Sequence, residues 1–393
     1  MNRSVVLLSL CQALLGTGNV LLISVNGLIG QSLSPSDALI TLPIAMQFVG
    51  LMLATIPASL IMQRIGRRNG FYLGNSLGIF GAVISAVALL YQNFFIFCVG
   101  TTLLGVGIGF GTLYRFAAVE ACEPEQKNRA ISMVMLGGVL AAIMGPALAV
   151  ESRDWISSQE FVGSFVGLMG LYSLALLLLS GVSIPQPVNA EAEKGPSRPL
   201  FEIVMQPVFI VAVVAAMASY TVMNLLMTAT PLAMARCGFS FPQMAWVIEW
   251  HVLGMFLPSF FTGRLIQRFG SVCMMMLGGL IMLLCIFINL NGQSEWHFWS
   301  ALFLLGLGWN FMFISATSMV TGAYTHQERA KTQATNEFLV FGMVTLSALS
   351  SGWLEVSMGW ETMNVLMIPV VVWAMLVIAV FSKKMQQAVE VVR

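Results

Sequence analysis

Ser59-Leu60-Ile61-Met62-Gln63-Arg64-Ile65-Gly66-Arg67-Arg68 returns, shortened, as Gly263-Arg264-Leu265-Ile266-Gln267-Arg268-Phe269-Gly270. Each copy ends one apolar run of bilayer length, about 20 residues, and opens the next. The two Gln-Arg-x-Gly cores stand 204 positions apart, from Gln63 to Gln267, and the same shift carries Lys127, Ala130 and Gly138 onto Lys331, Ala334 and Gly342. A shift of 201 carries Leu103-Leu104-Gly105-Val106-Gly107 onto Leu304-Leu305-Gly306-Leu307-Gly308. The chain therefore reads as one unit written twice. Duplicated halves around a central site are how many secondary transporters are built.

Composition says what surrounds those halves. Of 393 residues 58% are hydrophobic and 9% charged, where soluble domains carry about a quarter charged, and the mean hydropathy is +0.87. Lipid, not water, is the main solvent of this chain. A net charge of +1 leaves no basic surface for nucleic acid. The six cysteines form no C-x-x-C pair and have no histidine at ligand spacing, so neither a disulfide framework nor a metal site is expected. No phosphate loop, EF-hand or convergent catalytic cluster appears, so neither a cofactor nor an enzyme is expected.

Polar and Pro/Gly punctuation divides the sequence into twelve spans, near 5–30, 36–62, 70–91, 95–120, 130–150, 161–184, 206–233, 242–262, 272–291, 298–322, 333–353 and 359–381. These runs are too long and too unalternating for barrel strands, and backbone in lipid must bond internally, so they are helices. The expected fold is an all-α integral membrane protein of twelve transmembrane helices in two pseudo-symmetric six-helix bundles. Residues 1–184 would form the first and 201–393 the second, with the Pro-rich stretch in 185–200 as a cytoplasmic linker. The run after Met1-Asn2-Arg3 lacks a convincing cleavage site and reads as an uncleaved first helix. Placing both termini in the cytoplasm leaves only Arg153 and Arg236 of the 18 Lys and Arg outside, with Arg115 towards the inner end of helix 4.

These residues resemble the major facilitator superfamily over essentially the whole chain. The family's loop between helices 2 and 3 reads G-x-L-x-D-R-x-G-R-R. Gln63 stands at its acid and Ser59 at its first glycine, while Arg64, Gly66, Arg67 and Arg68 match, as do Gly263, Arg268 and Gly270 around Gln267 in the second copy. These positions are expected to gate the inner side. The family's mid-helix arginine of helix 4 has no counterpart in Gly100 to Gly105. Gly145-Pro146 in helix 5 resembles the motif of the superfamily's antiporters. Segments such as Tyr114 to Ala118 and Trp250 to Phe256 look like those of bacterial permeases, which implies a multi-pass protein of the bacterial inner membrane, expected to act as a monomer.

The resemblance implies that helices 1, 4, 7 and 10 line a central cavity, and polar residues recur at helical spacing on three of them. Gln12, Gly16, Asn19 and Asn26 stack on helix 1, Tyr220, Asn224 and Thr228 on helix 7, and Gly306, Asn310, Thr317 and Thr321 on helix 10. Each amide or hydroxyl is either interhelical glue or a substrate contact, and together they favour a cavity. Trp250, four residues after Trp246 on helix 8, could add an aromatic wall.

Ionisable groups within the spans are functional hypotheses by default because of their cost in lipid. Glu249 lies about eight residues into helix 8, roughly 12 Å deep, and is the first choice for a proton. His251 points some 200° away from it, and reads either as a second proton site or as a neutral ring bonded to a neighbour. Arg115 and Glu120 mark the inner end of helix 4, and Glu337 the start of helix 11, where the helix dipole also favours a carboxylate.

The expectation is a secondary transporter of a small organic solute with hydrogen-bonding groups and an aromatic or apolar body, working by alternating access. Proton-coupled export is the first choice from Gly145-Pro146. Proton-coupled uptake or facilitated diffusion is the alternative, since helix 1 holds no carboxylate, and a non-transporting membrane solute sensor is the alternative of another class.

Overall fold

The computed structural model describes residues 3–123, 127–184 and 198–392. Helix 1 (Arg3–Leu33) runs from the end of the bundle where Arg3 lies, the near end, to the far end. Helices 2 (Leu42–Ile65), 3 (Arg67–Leu90), 4 (Phe94–Gly111, continued by Tyr114–Glu120), 5 (Lys127–Ser152) and 6 (Val162–Ser180) complete the first half. Of the expected linker, residues 185–197 lie outside the described residues.

A short helix, Leu200–Val204, leads into helix 7 (Pro207–Arg236). Helix 8 comes in two pieces, Phe241–Phe256 and Ser259–Phe269, followed by helices 9 (Ser271–Asn291) and 10 (Glu295–Val320). The last stretch, Arg329–Val392, is divided at Gly359 into helices 11 and 12. Nine described helices are long and apolar enough to span a membrane on their own, and helix 8, bent by 41°, makes a tenth. The division at Gly359 and the apolar part of helix 5, Leu136–Ser152, bring the spans to twelve.

The repeat read in the sequence is also a repeat in space. Gly66 and Gly270 both adopt φ 83° and ψ 154° at their hairpins, a conformation that a Cβ would forbid. A Cβ on Gly105 would lie 1.9 Å from the carbonyl oxygen of Gln47, and one on Gly306 2.3 Å from that of His251. Helices 2 and 4 therefore cross backbone on backbone, as do helices 8 and 10, and glycine is the residue that permits it.

Besides the interruption of helix 4 between Gly111 and Tyr114 and the continuation of helix 12 to Val392 past the expected 381, helices 8 and 11 differ from the hydropathy reading. Helix 8, expected as one span over 242–262, breaks around Leu257 and Pro258, because proline has no N–H to give the ladder. Helix 11, expected to stop at 353, continues to the kink at Gly359 and takes Glu355 with it.

The halves meet in the middle and at the far end. Val20, Ala141 and Ala142 of the first half join the core of the second, and Ile44, Ala45 and Phe48 pack with Val344 and Ala348. At the far end Phe161 meets Phe241 edge to face, centroids 5.3 Å apart. The Arg153 guanidinium lies 5.5 Å from the first ring and 5.6 Å from the second. Thr41, which precedes helix 2, donates to Leu349 O at 3.4 Å and accepts from Gly352 N at 3.3 Å. Helices 1 and 7 show the opposite end: Gln12, Gly16 and Asn19, with Met217, Tyr220 and Thr221, are half-exposed in their near halves, whereas 24–27 and 222–234 are buried. The space between the halves faces the near end.

Candidate functional site

That space is bordered on helix 1 by an amide relay. Gln47 of helix 2 donates through Nε2 to Asn19 Oδ1 at 2.8 Å and accepts at Oε1 from Asn26 Nδ2 at 3.1 Å. Gln47 and Asn26 are fully buried, while Asn19 stands at the edge of the open row. Asn26 Oδ1 is buried with no hydrogen-bond partner among the described residues. Gln12, two turns towards the near end, is half-exposed.

Across from this relay lies a cluster of aromatic rings. Tyr220 of helix 7 meets Trp309 and Phe313 of helix 10 nearly at right angles, at 5.1 and 4.8 Å, and Phe341 of helix 11 at 6.0 Å. Trp309 and Phe313 stack at 4.9 Å, and Phe256 of helix 8 approaches Trp309 at 6.4 Å. Trp309 Nε1 is buried without a partner among the described residues. Thr317 continues the Phe313 row one turn nearer the open end and is exposed; Glu337 does the same for Phe341 and is half-buried beside Asn336.

Other expected site residues point elsewhere. Asn224 donates to Val344 O at 3.2 Å and Ser347 Oγ at 2.9 Å, joining helices 7 and 11. Thr228 is buried deeper towards the far end. Asn310 turns away to helix 8, donating to Met255 O at 2.6 Å and Ser259 Oγ at 2.8 Å. Trp250 stands in a separate ladder with Trp246, Trp299 and Phe303 between helices 8 and 10.

The ionisable residues are dispersed. Glu249 is half-buried, and no hydrogen bond or ion pair engages it among the described residues. His251 is buried and donates through Nδ1 to Leu302 O at 2.8 Å. Glu120 holds Arg67 in a two-pronged pair, 2.7 and 3.1 Å. The side chains of Gln63 and Arg115 lie outside the described residues.

The two loops expected to gate are anchored differently. Besides the Arg67–Glu120 pair, Arg68 donates to Ser180 O at 2.8 Å, tying the first loop to helices 4 and 6. In the second loop Gln267 is exposed and Arg268 lies over the neighbouring Phe269 ring at 5.3 Å; Arg64 and Gly263 are exposed. Gly145, before Pro146, sits against helix 1, where a Cβ would come 2.7 Å from Val20 Cβ.

Sequence reading missed three features. Gln47 was visible as a lone amide inside an apolar run, and Glu355 fell beyond the assumed end of helix 11. Phe256, Trp309, Phe313 and Phe341 carry no signal that separates them from lipid-facing aromatics; only the tertiary meeting of four helices does.

A family model for the Major Facilitator Superfamily matches residues 8–241 and 212–390. The riboflavin transporter RfnT of Brucella anthropi is 44% identical over 372 residues, covering 94% of this chain and 93% of that one. The uncharacterized MFS-type transporter YdeG of Bacillus subtilis is 28% identical, covering 95% and 92%. Among solved structures, a D-xylose-proton symporter superposes with TM-score 0.79 at 14% identity, covering 95% of this chain and 96% of the other.

Proposed function

The chain belongs to the Major Facilitator Superfamily of transporters, and from that premise we propose that it carries riboflavin, or a solute of the same build, by alternating access. Riboflavin joins a flat three-ring system, rimmed with carbonyl and N–H groups, to a polyhydroxylated chain. The observation that carries the proposal is the facing pair of surfaces between the halves. Rings of Tyr220, Trp309, Phe313 and Phe341 offer aromatic faces and edges, and Asn19, held by the buried Gln47–Asn26 pair, offers an amide. A ring packed on aromatics gains about 0.5–1.5 kcal/mol beyond its buried area. The 44% identical riboflavin transporter supports the same substrate class.

Proton coupling belongs to the proposal, with Glu249, His251, Glu120 and Glu337 as the groups to test, in a chain whose termini face the cytoplasm of a bacterial inner membrane. Gly145-Pro146 favours export. Purified protein in liposomes preloaded with riboflavin should exchange it for labelled riboflavin added outside. Absence of exchange by protein that is folded and inserted would sink the substrate assignment. An imposed pH gradient then reads direction: accumulation against the proton flow is antiport, accumulation with it is symport and corrects the export reading.

A further inference from the structure

Two carboxylates among the described residues are almost wholly buried and paired with arginine, and they differ in one respect. Glu328, before helix 11 at the near end, has both oxygens filled. Oε1 accepts from the N and Nε of Arg198 at 2.9 and 2.8 Å, and Oε2 from Arg198 Nη2 at 2.7 Å and Thr325 N at 2.9 Å. Glu355, near the far end of helix 11 and 1% exposed, has only one filled. Its Oε1 lies 3.2 Å from Arg236 Nη1, which also donates to the Glu355 carbonyl oxygen at 3.3 Å. Its Oε2 is buried with no partner among the described residues.

A buried carboxylate oxygen without a donor is costly, and a proton is the smallest thing that relieves it. Arg236 ends helix 7 with 44% of its side chain exposed, so the pair has an edge towards water at the far end. One to two turns earlier on helix 11, Leu349 and Gly352 receive Thr41 of the first half. The pair therefore sits beside a joint between the halves. The charged or titratable groups at this end of the elements around it are Arg236 at the end of helix 7 and Cys237 just after it, Asp37 from the short 3-10 turn Asp37–Leu39 packed on helix 11, and Glu361 at the start of helix 12. Burial, and then the charge of Glu355, push the Cys237 thiol upward, and its Sγ donates to Gln293 Oε1 at 3.2 Å. In that set Arg236 is the cation.

We infer that Glu355 is a proton-binding residue of the transport cycle, loaded from the far end. A proton from water forms an O–H bond at Oε2 and cancels the carboxylate charge. Arg236 keeps its own protons and turns to solvent, and nothing is oxidised or reduced. The far-end tie between helices 7 and 11 is then released next to the Thr41 contact, which couples protonation to opening. This rests on the proton-coupled reading above and names a residue that reading does not contain.

The test uses the full chain in liposomes. One coupled proton allows accumulation of up to about tenfold per pH unit, since tenfold is 1.4 kcal/mol. Glu355→Gln, equal in size and neutral, is expected to abolish accumulation driven by a pH gradient while keeping riboflavin exchange. Retained accumulation would overturn the inference, and so would loss of both activities in folded protein, which marks a structural strut. If wild-type protein exchanges riboflavin but accumulates none in a pH gradient, it is the proton-coupled reading itself that fails. Should Glu355→Gln not fold, Arg236→Gln serves: without the cation the carboxylate takes its proton more readily, so the pH midpoint of accumulation should move upward. An unmoved midpoint would overturn the assignment.

Discussion

Gln47 and His251 hold the same place in the two halves, each with its carbonyl oxygen pressed beneath a glycine, Gly105 or Gly306, of the helix it crosses. Their backbones do the same work and their side chains do not. Gln47 reaches helix 1 of its own half, bonding Asn19 and Asn26, whereas His251 bonds Leu302 O of helix 10, the helix it crosses. The same packing position occurs twice, and in the first copy its side chain braces Asn19 at the edge of the open row.

Gln47→Leu should therefore do two things. It leaves Asn26 buried without a partner, which costs about 1–3 kcal/mol, and it frees Asn19 to rotate. Both a lower unfolding temperature and weaker riboflavin binding are expected. His251→Leu should lower neither binding nor the pH response of transport. A pH profile altered in His251→Leu would place a proton on that ring and remove the division of labour between the two positions.

The ring cluster gives a graded series. Tyr220→Phe keeps the edge-to-face contacts and should bind riboflavin within about twofold of wild type. Tyr220→Leu and Phe313→Leu lose an aromatic face, about 0.5–1.5 kcal/mol, and should weaken binding by roughly two- to tenfold. Quenching of flavin fluorescence on titration with purified protein measures this. Equal affinities across the series would move the ring elsewhere.

How far the sequence could be read depends on the length scale of each signal. Hydropathy over a whole span marks twelve helices, and the Gln63 and Gln267 copies mark the symmetry, because both are properties of the chain alone. Which way a polar residue faces is decided by its neighbours. Asn19 and Asn310 look alike on their helices, but one borders the open space and the other fills a defect in helix 8. Glu355 was lost to a boundary: polar Ser350-Ser351-Gly352 reads as an end, yet the helix continues to Gly359 because its hydroxyls bond back to Leu346 and Ala348 carbonyls within the helix.

Glu328 makes a prediction about pH outside the membrane. Its hydrogen bonds from Arg198, then from Thr325 N–H, hold the carboxyl well below the usual range. A lowered folded value means that the contribution is full above the unfolded value of about 4.3 and fades as pH falls through the folded one. The unfolding temperature should carry this contribution unchanged from about pH 8 to 5 and lose it below about 4. Glu328→Gln should melt lower than wild type at neutral pH, with the gap closing in acid. A constant gap down to about pH 3 would show that the tie is not ionic.

The last prediction concerns what Asn310 is for. Helix 8 bends by 41° between Phe256 and Ser259, and Pro258 has no N–H to offer its ladder. Asn310 enters the break from helix 10. Its two N–H groups reach Met255 O at 2.6 Å and Ser259 Oγ at 2.8 Å, and Thr262 Oγ1 lies 2.6 Å from its Oδ1. The amide thus substitutes for ladder donors on one side of the break and holds the second piece on the other. Asn310→Leu leaves these groups unpaired, at about 1–3 kcal/mol for each buried one, which in a chain of this size lowers the unfolding temperature by several degrees. Because no atom of the amide turns to the open row between the halves, riboflavin affinity should stay within about twofold. If instead Asn310→Leu melts like wild type and binds riboflavin far more weakly, the residue belongs to the substrate and the clamp on helix 8 is dispensable.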